Sequence, residues 1–141
     1  MQRGPSCILL GITIEDREAI RDVLYRYCQY ADAADTEGWL SLYVDDGSLD
    51  MGMGGAPFVG KPALREFASA RRPGTGLHLS ANQMISVDGD DATVESYVVV
   101  LEGPEDPRVR LAGRYADRLK RVQGSWLFVS RRLDPQLRAR A

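Results

Sequence analysis

Apolar positions recur every three to four residues near the start of the chain, which predicts an amphipathic helix. Thr13 can cap this helix, with Asp16 three residues later in a capping-box arrangement. Charged residues fill the opposite face, as expected for a helix that packs on a core. The buried face is predicted to consist of Ile20, Val23, Leu24, Tyr27, Cys28 and Ala31.

A second, shorter helix is predicted directly after the first. Asp35 can cap it, and its apolar positions Trp39 and Leu40 are expected to be buried. The run Asp45-Asp46-Gly47 is typical of a turn, so we expect the helix to end there. A short strand that ends at Met51 should follow.

A glycine-rich loop and a third helix complete the first half of the chain. Residues 52–57 contain three glycines and a proline, which predicts a loop. The third helix should begin at Pro62, because proline suits the first turn of a helix. It is expected to direct Leu64 and Phe67 inward.

The period of the apolar positions changes from 3.6 to 2 in the second half, which predicts strands. Asp88-Gly89 and Gln123-Gly124 are typical of tight hairpin turns between them. Helices followed by long antiparallel strands indicate an α+β fold, with the helices on one face of a bent sheet. The predicted strands are 77–87, 92–101, 109–122 and 125–133.

Neither a repeat nor a linker divides the chain, so one domain is predicted. We expect it to cover residues 13–135, with a loosely ordered tail at 1–12 and a short tail at 136–141. A length of 141 residues is enough to bury a core. The composition, 44% hydrophobic and 27% charged, is that of a globular protein rather than a disordered one.

Charge and composition argue against several classes of partner. The formal net charge is −2 and the basic residues are scattered, so no nucleic-acid partner is expected. The pairs Arg71-Arg72 and Arg131-Arg132 are interpreted as solvated faces. No apolar run reaches the roughly 18 residues of a membrane helix. Two cysteines, Cys7 and Cys28, give no disulfide framework, and we expect a cytoplasmic protein without a membrane partner.

A single histidine, His78, is the first candidate for chemistry. Strand alternation places His78, Ser80, Asn82 and Met84 on one face of the first long strand. That face could line a pocket, or it could meet water. The pattern alone leaves both interpretations open.

The first helix offers two further candidates. Tyr27 lies on its apolar face, so a buried ring with a hydroxyl that needs a partner is expected. Asp32 falls at the end of the helix, where a carboxylate is unfavourable for the helix dipole. It is therefore either an exposed turn residue or a side chain with a specific partner.

Several segments, taken in order, resemble SnoaL-like proteins of the NTF2-like superfamily. The resemblance covers the chain from about residue 13 to residue 133. It includes a helix with a tyrosine, an Asp-x-x-Asp turn, paired aspartates and a strand with a histidine. The matching segments are 26–35, 39–46, 60–67, 77–82, 113–118 and 124–126.

This resemblance implies an NTF2-like cone, in which three N-terminal helices pack on a strongly curved, mostly antiparallel sheet that encloses one pocket. Scytalone dehydratase, bile-acid 7α-dehydratase, ketosteroid isomerase and polyketide cyclases share that fold. In several dehydratases an aspartate that ends the first helix holds the strand histidine as a base, and Asp32 and His78 match these positions. Tyr27 matches a tyrosine that hydrogen-bonds a substrate oxygen.

The chain departs from individual relatives at two positions. The base of ketosteroid isomerase would fall near Met51, so that mechanism does not transfer intact. The acidic residue that bile-acid dehydratase carries on its second long strand aligns near Val100. The resemblance therefore supports the fold more strongly than a particular substrate.

The leading hypothesis is a cofactor-free lyase or isomerase that acts on a hydrophobic cyclic carbonyl compound such as a steroid or polyketide. His78 would remove a proton next to the carbonyl, Asp32 would orient the imidazole, and Tyr27 would donate to the enolate oxygen. No metal is expected, because one histidine and no cysteine pair give no ligand set. The residues expected to bind substrate are Asn82, Ser80, Tyr97, Trp39, Met51 and Phe67.

Two other hypotheses remain open. A non-catalytic binding or assembly module of the same fold would leave Asp32 and His78 too far apart to hydrogen-bond. A small subunit of a ring-hydroxylating dioxygenase would work only beside a large subunit. A homodimer is expected through the outer face of the sheet. Its apolar surface would come from either Val98 and Val100 or the neighbouring pair, residues 99 and 101.

Overall fold

The computed structural model describes residues 12–140. These residues form three helices and a six-stranded sheet, which confirms the α+β prediction. The tail predicted at residues 1–12 falls, apart from its last residue, outside the described part. The helices are α1 (Ile14–Asp32), α2 (Thr36–Leu40) and α3 (Lys61–Ser69). The strands are β1 (Tyr43–Asp50), β2 (Phe58–Val59), β3 (Gly76–Asp88), β4 (Asp91–Glu102), β5 (Arg108–Val122) and β6 (Ser125–Arg138).

Local capping explains where the first two helices begin. The Thr13 hydroxyl accepts a hydrogen bond from the backbone N–H of Asp16 at 3.0 Å, as the capping pattern predicts. The Asp35 carboxylate accepts from the N–H of Gly38 at 2.9 Å and starts α2 in the same way. The predicted apolar face of α1 is buried apart from Val23, which is partly buried. None of the helices within residues 12–140 is long and apolar enough to cross a membrane.

The strands follow the order β2-β1-β6-β5-β4-β3. All neighbours are antiparallel except β1 and β6, which run parallel. The long strands are joined by hairpins, and the β5–β6 turn has positive φ at both Gln123 and Gly124. Such angles match the right-handed twist of the flanking strands, so the predicted turn is confirmed. Three helices pack on this mostly antiparallel sheet, as the resemblance implies.

Two strands extend further than the sequence predicts. β1 begins at Tyr43, so residues 45–47 lie within a strand instead of a turn. Parallel pairing with β6 and an irregular register between Tyr43 and Ser48 accommodate them. β6 continues to Arg138, into the predicted C-terminal tail, because its last residues pair with the start of β5.

An aromatic cluster fills the core beneath the helices. Tyr27 packs against Trp39, Tyr115 and Phe128 with ring centroids 5.5–6.1 Å apart. The guanidinium of Arg131 lies among these rings, 3.7 Å from the centroid of Tyr115. Burying so many aromatic surfaces supplies much of the hydrophobic stabilisation of the domain.

Arg131 corrects the expectation that the Arg131-Arg132 pair is solvated. Its side chain is buried and donates two hydrogen bonds to the buried carboxylate of Asp117, at 2.8 and 3.0 Å. Burial, the largest single effect, would lower the pKa of Arg131, but the charge and hydrogen bonds of Asp117 together with the effects of Tyr115 and Tyr27 outweigh it and raise that pKa. Arg132 points outward, as predicted. A paired and hydrogen-bonded charge can be buried where a lone one could not.

Candidate active site

Asp32 and His78 meet where α1 crosses the edge of the sheet. Asp32 is the last residue of α1, and His78 lies on β3, the edge strand. The His78 Nδ1 atom is 2.7 Å from the Asp32 Oδ1 atom. The backbone N–H of His78 also donates to the carboxylate, at 3.0 Å to Oδ1 and 3.2 Å to Oδ2. The carboxylate thus covers an unpaired donor of the edge strand and orients the imidazole.

The surroundings of His78 keep its imidazole neutral near pH 7. Burial lowers its pKa most strongly, while the hydrogen bond and the charge of Asp32 raise it in part. The positive charges of Arg71 and Arg131 lower it further. With Nδ1–H donated to Asp32, Nε2 is the nitrogen that can accept a proton. An imidazole that is neutral and oriented in this way is able to act as a general base.

Asp32 and His78, which together form the dyad, border a cavity of about 720 Å³. That volume lies within the range of pockets that bind small organic molecules. Four polar side chains of the lining are buried or half-buried: Asp32, His78, Arg71 and Tyr115. The other polar side chains of the lining are exposed: Glu66, Arg72, Thr75, Glu102 and Arg110. The apolar wall includes Met51, Phe58, Phe67, Val100, Leu111 and Leu133.

The predicted substrate-binding residues divide into two groups, and the first lies in or next to this cavity. Met51 and Phe67 line it. Trp39 and Tyr27 lie behind the lining, with 0% and 2% of their surface exposed, so both belong to the core. Trp39 packs against the lining residue Phe67, and their ring centroids are 6.0 Å apart.

The second group lies outside the cavity. A β-bulge between Ala81 and Met84, with a φ of 53° at Asn82, breaks the strand alternation on which the prediction relied. Asn82 consequently leaves the inward side of β3, and Tyr97 lies at an exposed position of β4. Both border a separate hollow, where Arg114 donates to the Tyr97 hydroxyl at 3.2 Å. These two residues do not join the dyad.

Ser80 also departs from its predicted place. It shares the inward side of β3 with His78, but it borders a shallow hollow next to α1 rather than the cavity. Its hydroxyl accepts a hydrogen bond from Gln83 Nε2 at 3.1 Å. Ser80 therefore has a local partner that does not involve the cavity.

Sequence reasoning missed Tyr115. Its phenol lines the cavity, and burial raises its pKa well above the ordinary value, so it remains protonated and can donate a hydrogen bond. The alternation of β5 could have revealed it. Leu111, Tyr115, Asp117 and Leu119 all face inward, and an aspartate at an inward position signals a buried partner.

Sequence reasoning also missed Arg71, which was expected on a solvated face. It is half-buried just after α3, with its guanidinium 4.9 Å from the Trp39 ring centroid and 5.0 Å from that of Phe67. Within residues 12–140 its buried Nη1 atom has no hydrogen-bond partner. Arg72, next to it, is exposed as predicted.

In the part of the chain that the structure describes, no three His, Cys, Asp or Glu side chains converge as a metal-binding set. Cys28 is a buried free thiol whose pKa is raised by burial. Its high pKa disfavours the thiolate, which is the reactive form. Asp32, His78, Arg71 and Tyr115 are the polar groups of the cavity lining that are not exposed to solvent.

Three helices on a six-stranded, mostly antiparallel sheet form the NTF2-like fold, and the Asp32–His78 pair lies at the wall of its apolar pocket. The model of the SnoaL-like domain family matches residues 13–132. The chain therefore belongs to the SnoaL-like family, as the sequence resemblance implies. Comparison with curated proteins finds no match.

Solved structures agree with this assignment. A variant of Rv3472, a protein of unknown function from Mycobacterium tuberculosis, is 32% identical with a TM-score of 0.82, covering 88% of this chain and 78% of that one. A suggested scytalone dehydratase from Novosphingobium aromaticivorans is 22% identical, with a TM-score of 0.80 and coverage of 89% and 87%. The beta subunit of a suggested aromatic-ring-hydroxylating dioxygenase from the same species is 25% identical, with a TM-score of 0.73 and coverage of 88% and 91%.

Proposed function

We propose that this protein is a cofactor-free enzyme that removes a proton next to the carbonyl group of a hydrophobic cyclic compound, such as a steroid or polyketide. Its family and fold neighbours support a dehydratase-like or cyclase-like role. The observation that carries the proposal is the 2.7 Å hydrogen bond between His78 Nδ1 and Asp32 Oδ1 at the wall of an apolar cavity.

His78 is the base in this mechanism. Its Nε2 atom takes the proton from the carbon next to the carbonyl, and the bonding electrons move into the enolate. Asp32 fixes the tautomer of the imidazole and stabilises the imidazolium that forms, and a positioned base of this kind contributes about 10²–10⁴ in rate. Loss of hydroxide from the β carbon, protonated by the imidazolium, gives dehydration. Return of the proton to a different carbon gives isomerisation.

Tyr115 is the better candidate for stabilising the enolate oxygen. Tyr27 was expected in this role, but its ring lies behind the cavity wall, 6.1 Å from the Tyr115 centroid. Tyr115 lines the cavity as a neutral phenol, and a buried donor aimed at developing negative charge lowers the barrier. Tyr27 is then a packing partner that holds Tyr115 in place. Met51 and Phe67 provide apolar surface for the substrate ring.

The test measures elimination and isomerisation on a panel of steroid and polyketide ketones. His78→Ala and Asp32→Asn should both lose activity. Asp22→Asn is the matched control, because Asp22 lies on the same helix but pairs with Arg26 on the surface. Full activity in both dyad variants would refute the proposal.

A non-catalytic carrier is the alternative. That hypothesis requires the two dyad groups to be separated, so their direct hydrogen bond favours the enzyme. The similarity to a dioxygenase beta subunit raises a third function, an accessory subunit beside a larger partner. A stable oligomer of this chain alone would argue against the accessory role.

A homodimer formed through the outer face of the sheet is also part of the proposal. Val98 and Val100 are buried, which leaves the alternate positions of β4 on the outer face. There an apolar patch consists of two cross-strand pairs, Leu77 with Leu101 and Leu79 with Val99. Leu77 and Leu79 are 55% and 52% exposed, as an interface to a second copy would require.

A further inference from the structure

Arg71 carries a charge in the cavity that the proposed mechanism does not use. Its guanidinium stacks near Trp39 and Phe67, and in the described residues no carboxylate pairs with it. Its Nη1 atom is buried without an acceptor. A buried donor that lacks a partner costs about 1–3 kcal/mol, and more when the group is charged. Arg71 also lines the cavity, so an anionic group of a ligand bound there can supply the acceptor that the protein does not.

The other charges of the lining are accounted for. The Asp32 carboxylate is bonded to His78. Glu102 at the rim pairs with Arg110 at 3.0 Å. Glu66 and Arg72 are exposed to solvent. Arg71 is thus the charged group of the cavity lining that is both half-buried and without a protein partner among residues 12–140.

We propose that Arg71 binds an oxyanion of the ligand, and that the natural substrate is a cyclic compound that carries a carboxylate. A planar guanidinium matches the geometry of a carboxylate and can donate two parallel hydrogen bonds. The aromatic faces of Trp39 and Phe67 hold the guanidinium in place, so little side-chain freedom is lost when the ligand binds.

This inference rests on the proposed function, because the bound carboxylate is a substrate only if the protein is the enzyme proposed above. Arg71 and His78 line the same cavity, so a ring system between them would present its carboxylate to Arg71 and its acidic carbon to His78. Arg71 is close enough for its charge to lower the pKa of His78. A bound carboxylate would offset that charge and make His78 a stronger base when the substrate is in place.

The test compares two probes of nearly equal shape, 2-naphthoate and 2-naphthamide, by isothermal titration calorimetry at neutral pH. The unaltered protein should bind the carboxylate at least about tenfold more tightly than the neutral amide, because one charge-assisted pair in a partly buried site contributes this much or more. Equal binding of the two probes, or no binding of naphthoate at millimolar concentration, would overturn the inference.

Variants then assign the preference to Arg71. Arg71→Gln should abolish the preference for naphthoate while leaving naphthamide binding unchanged, which also shows that the cavity is intact. Arg71→Lys should retain part of the preference for naphthoate, because the positive charge remains but the planar guanidinium is lost. Arg132→Gln removes the same charge from an exposed position and should leave the preference unaltered. A preference that survives Arg71→Gln would contradict the assignment.

The two proposals can fail separately. Binding of naphthoate by the His78→Ala variant should still depend on Arg71, because anion binding does not need the base. If that binding persists but no ketone of the panel is turned over, the catalytic proposal fails and the anion site stands. If a ketone is turned over but the preference for the carboxylate is absent, the anion site fails and the catalytic proposal stands.

Discussion

The carboxylate of Asp32 accepts hydrogen bonds from both the ring Nδ1–H and the backbone N–H of His78. One side chain at the end of α1 therefore orients the imidazole and also satisfies a donor of the exposed sheet edge. A structural role and a chemical role are combined in a single residue. They can be separated by a substitution that keeps the oxygen acceptor and removes the charge.

Asp32→Asn should retain the fold but lower the pKa of His78. The amide oxygen can still accept from the backbone N–H, whereas the negative charge that raises this pKa is lost. His78 is the single histidine of the sequence, so its ring signals in an NMR titration of the untagged protein are unambiguous. Asp22→Asn should leave that titration unchanged. An unaltered pKa in Asp32→Asn would contradict the proposed coupling.

Activity should fall as the pH falls through the pKa of His78, because protonated imidazole cannot act as a base. That pKa lies below its ordinary value of 6.5, since burial outweighs the effect of Asp32. The acid limb of kcat/KM is therefore expected below pH 6.5. A limb centred above that value would show that another group controls activity.

The lowered pKa of His78 also affects the stability of the fold. Between pH 6.5 and the lower pKa of the folded protein, the unfolded chain binds the proton more readily. The free energy of unfolding should therefore decrease as the pH falls through this window. Above pH 6.5 the contribution of His78 to stability should be complete. Urea titrations at several pH values would detect the decrease, which His78→Ala should lack.

Asp117 and Arg131 should stabilise the fold only when both are present, because replacing one leaves the other as an unpaired buried charge. Asp117→Asn leaves a buried guanidinium without its counter-charge and should cost about 3–5 kcal/mol in the free energy of unfolding. Asp117→Leu combined with Arg131→Met removes both charges and should be more stable than either single substitution. Chemical denaturation measures Asp117→Asn, the double variant and its two single substitutions. A loss below about 1 kcal/mol in Asp117→Asn would contradict the assignment, because surface pairs contribute that little.

The outer apolar patch should hold two copies together. Leu79→Lys places a charge in the centre of the proposed interface and should convert the dimer to a monomer in light-scattering measurements. Met84→Lys, at another exposed position of β3 beyond the bulge, serves as the control and should remain dimeric. A monomeric parent protein at micromolar concentration would rule out the interface.

Most of the secondary structure could be predicted from the sequence, since caps, turns and periodicity are local properties. Thr13 and Asp35 cap their helices, and the Gln123-Gly124 hairpin forms where it was expected. The sequence missed the start of β1 and the end of β6, because both depend on a neighbouring strand rather than on local pattern. The pairing of Asp32 with His78 was a hypothesis from family resemblance, and the bulge at Asn82 ended the alternation that placed other residues in the pocket.

By itself the sequence determined the α+β arrangement, the helix and hairpin positions, and a short list of groups able to move a proton. Only the tertiary structure decided which of those groups share a cavity. Whether a charge such as Arg131 or Arg71 is buried depends on partners brought near by folding, and no local pattern records that proximity. Burial and pairing set the energy of a charge, so these contacts could be identified only once the chain was folded.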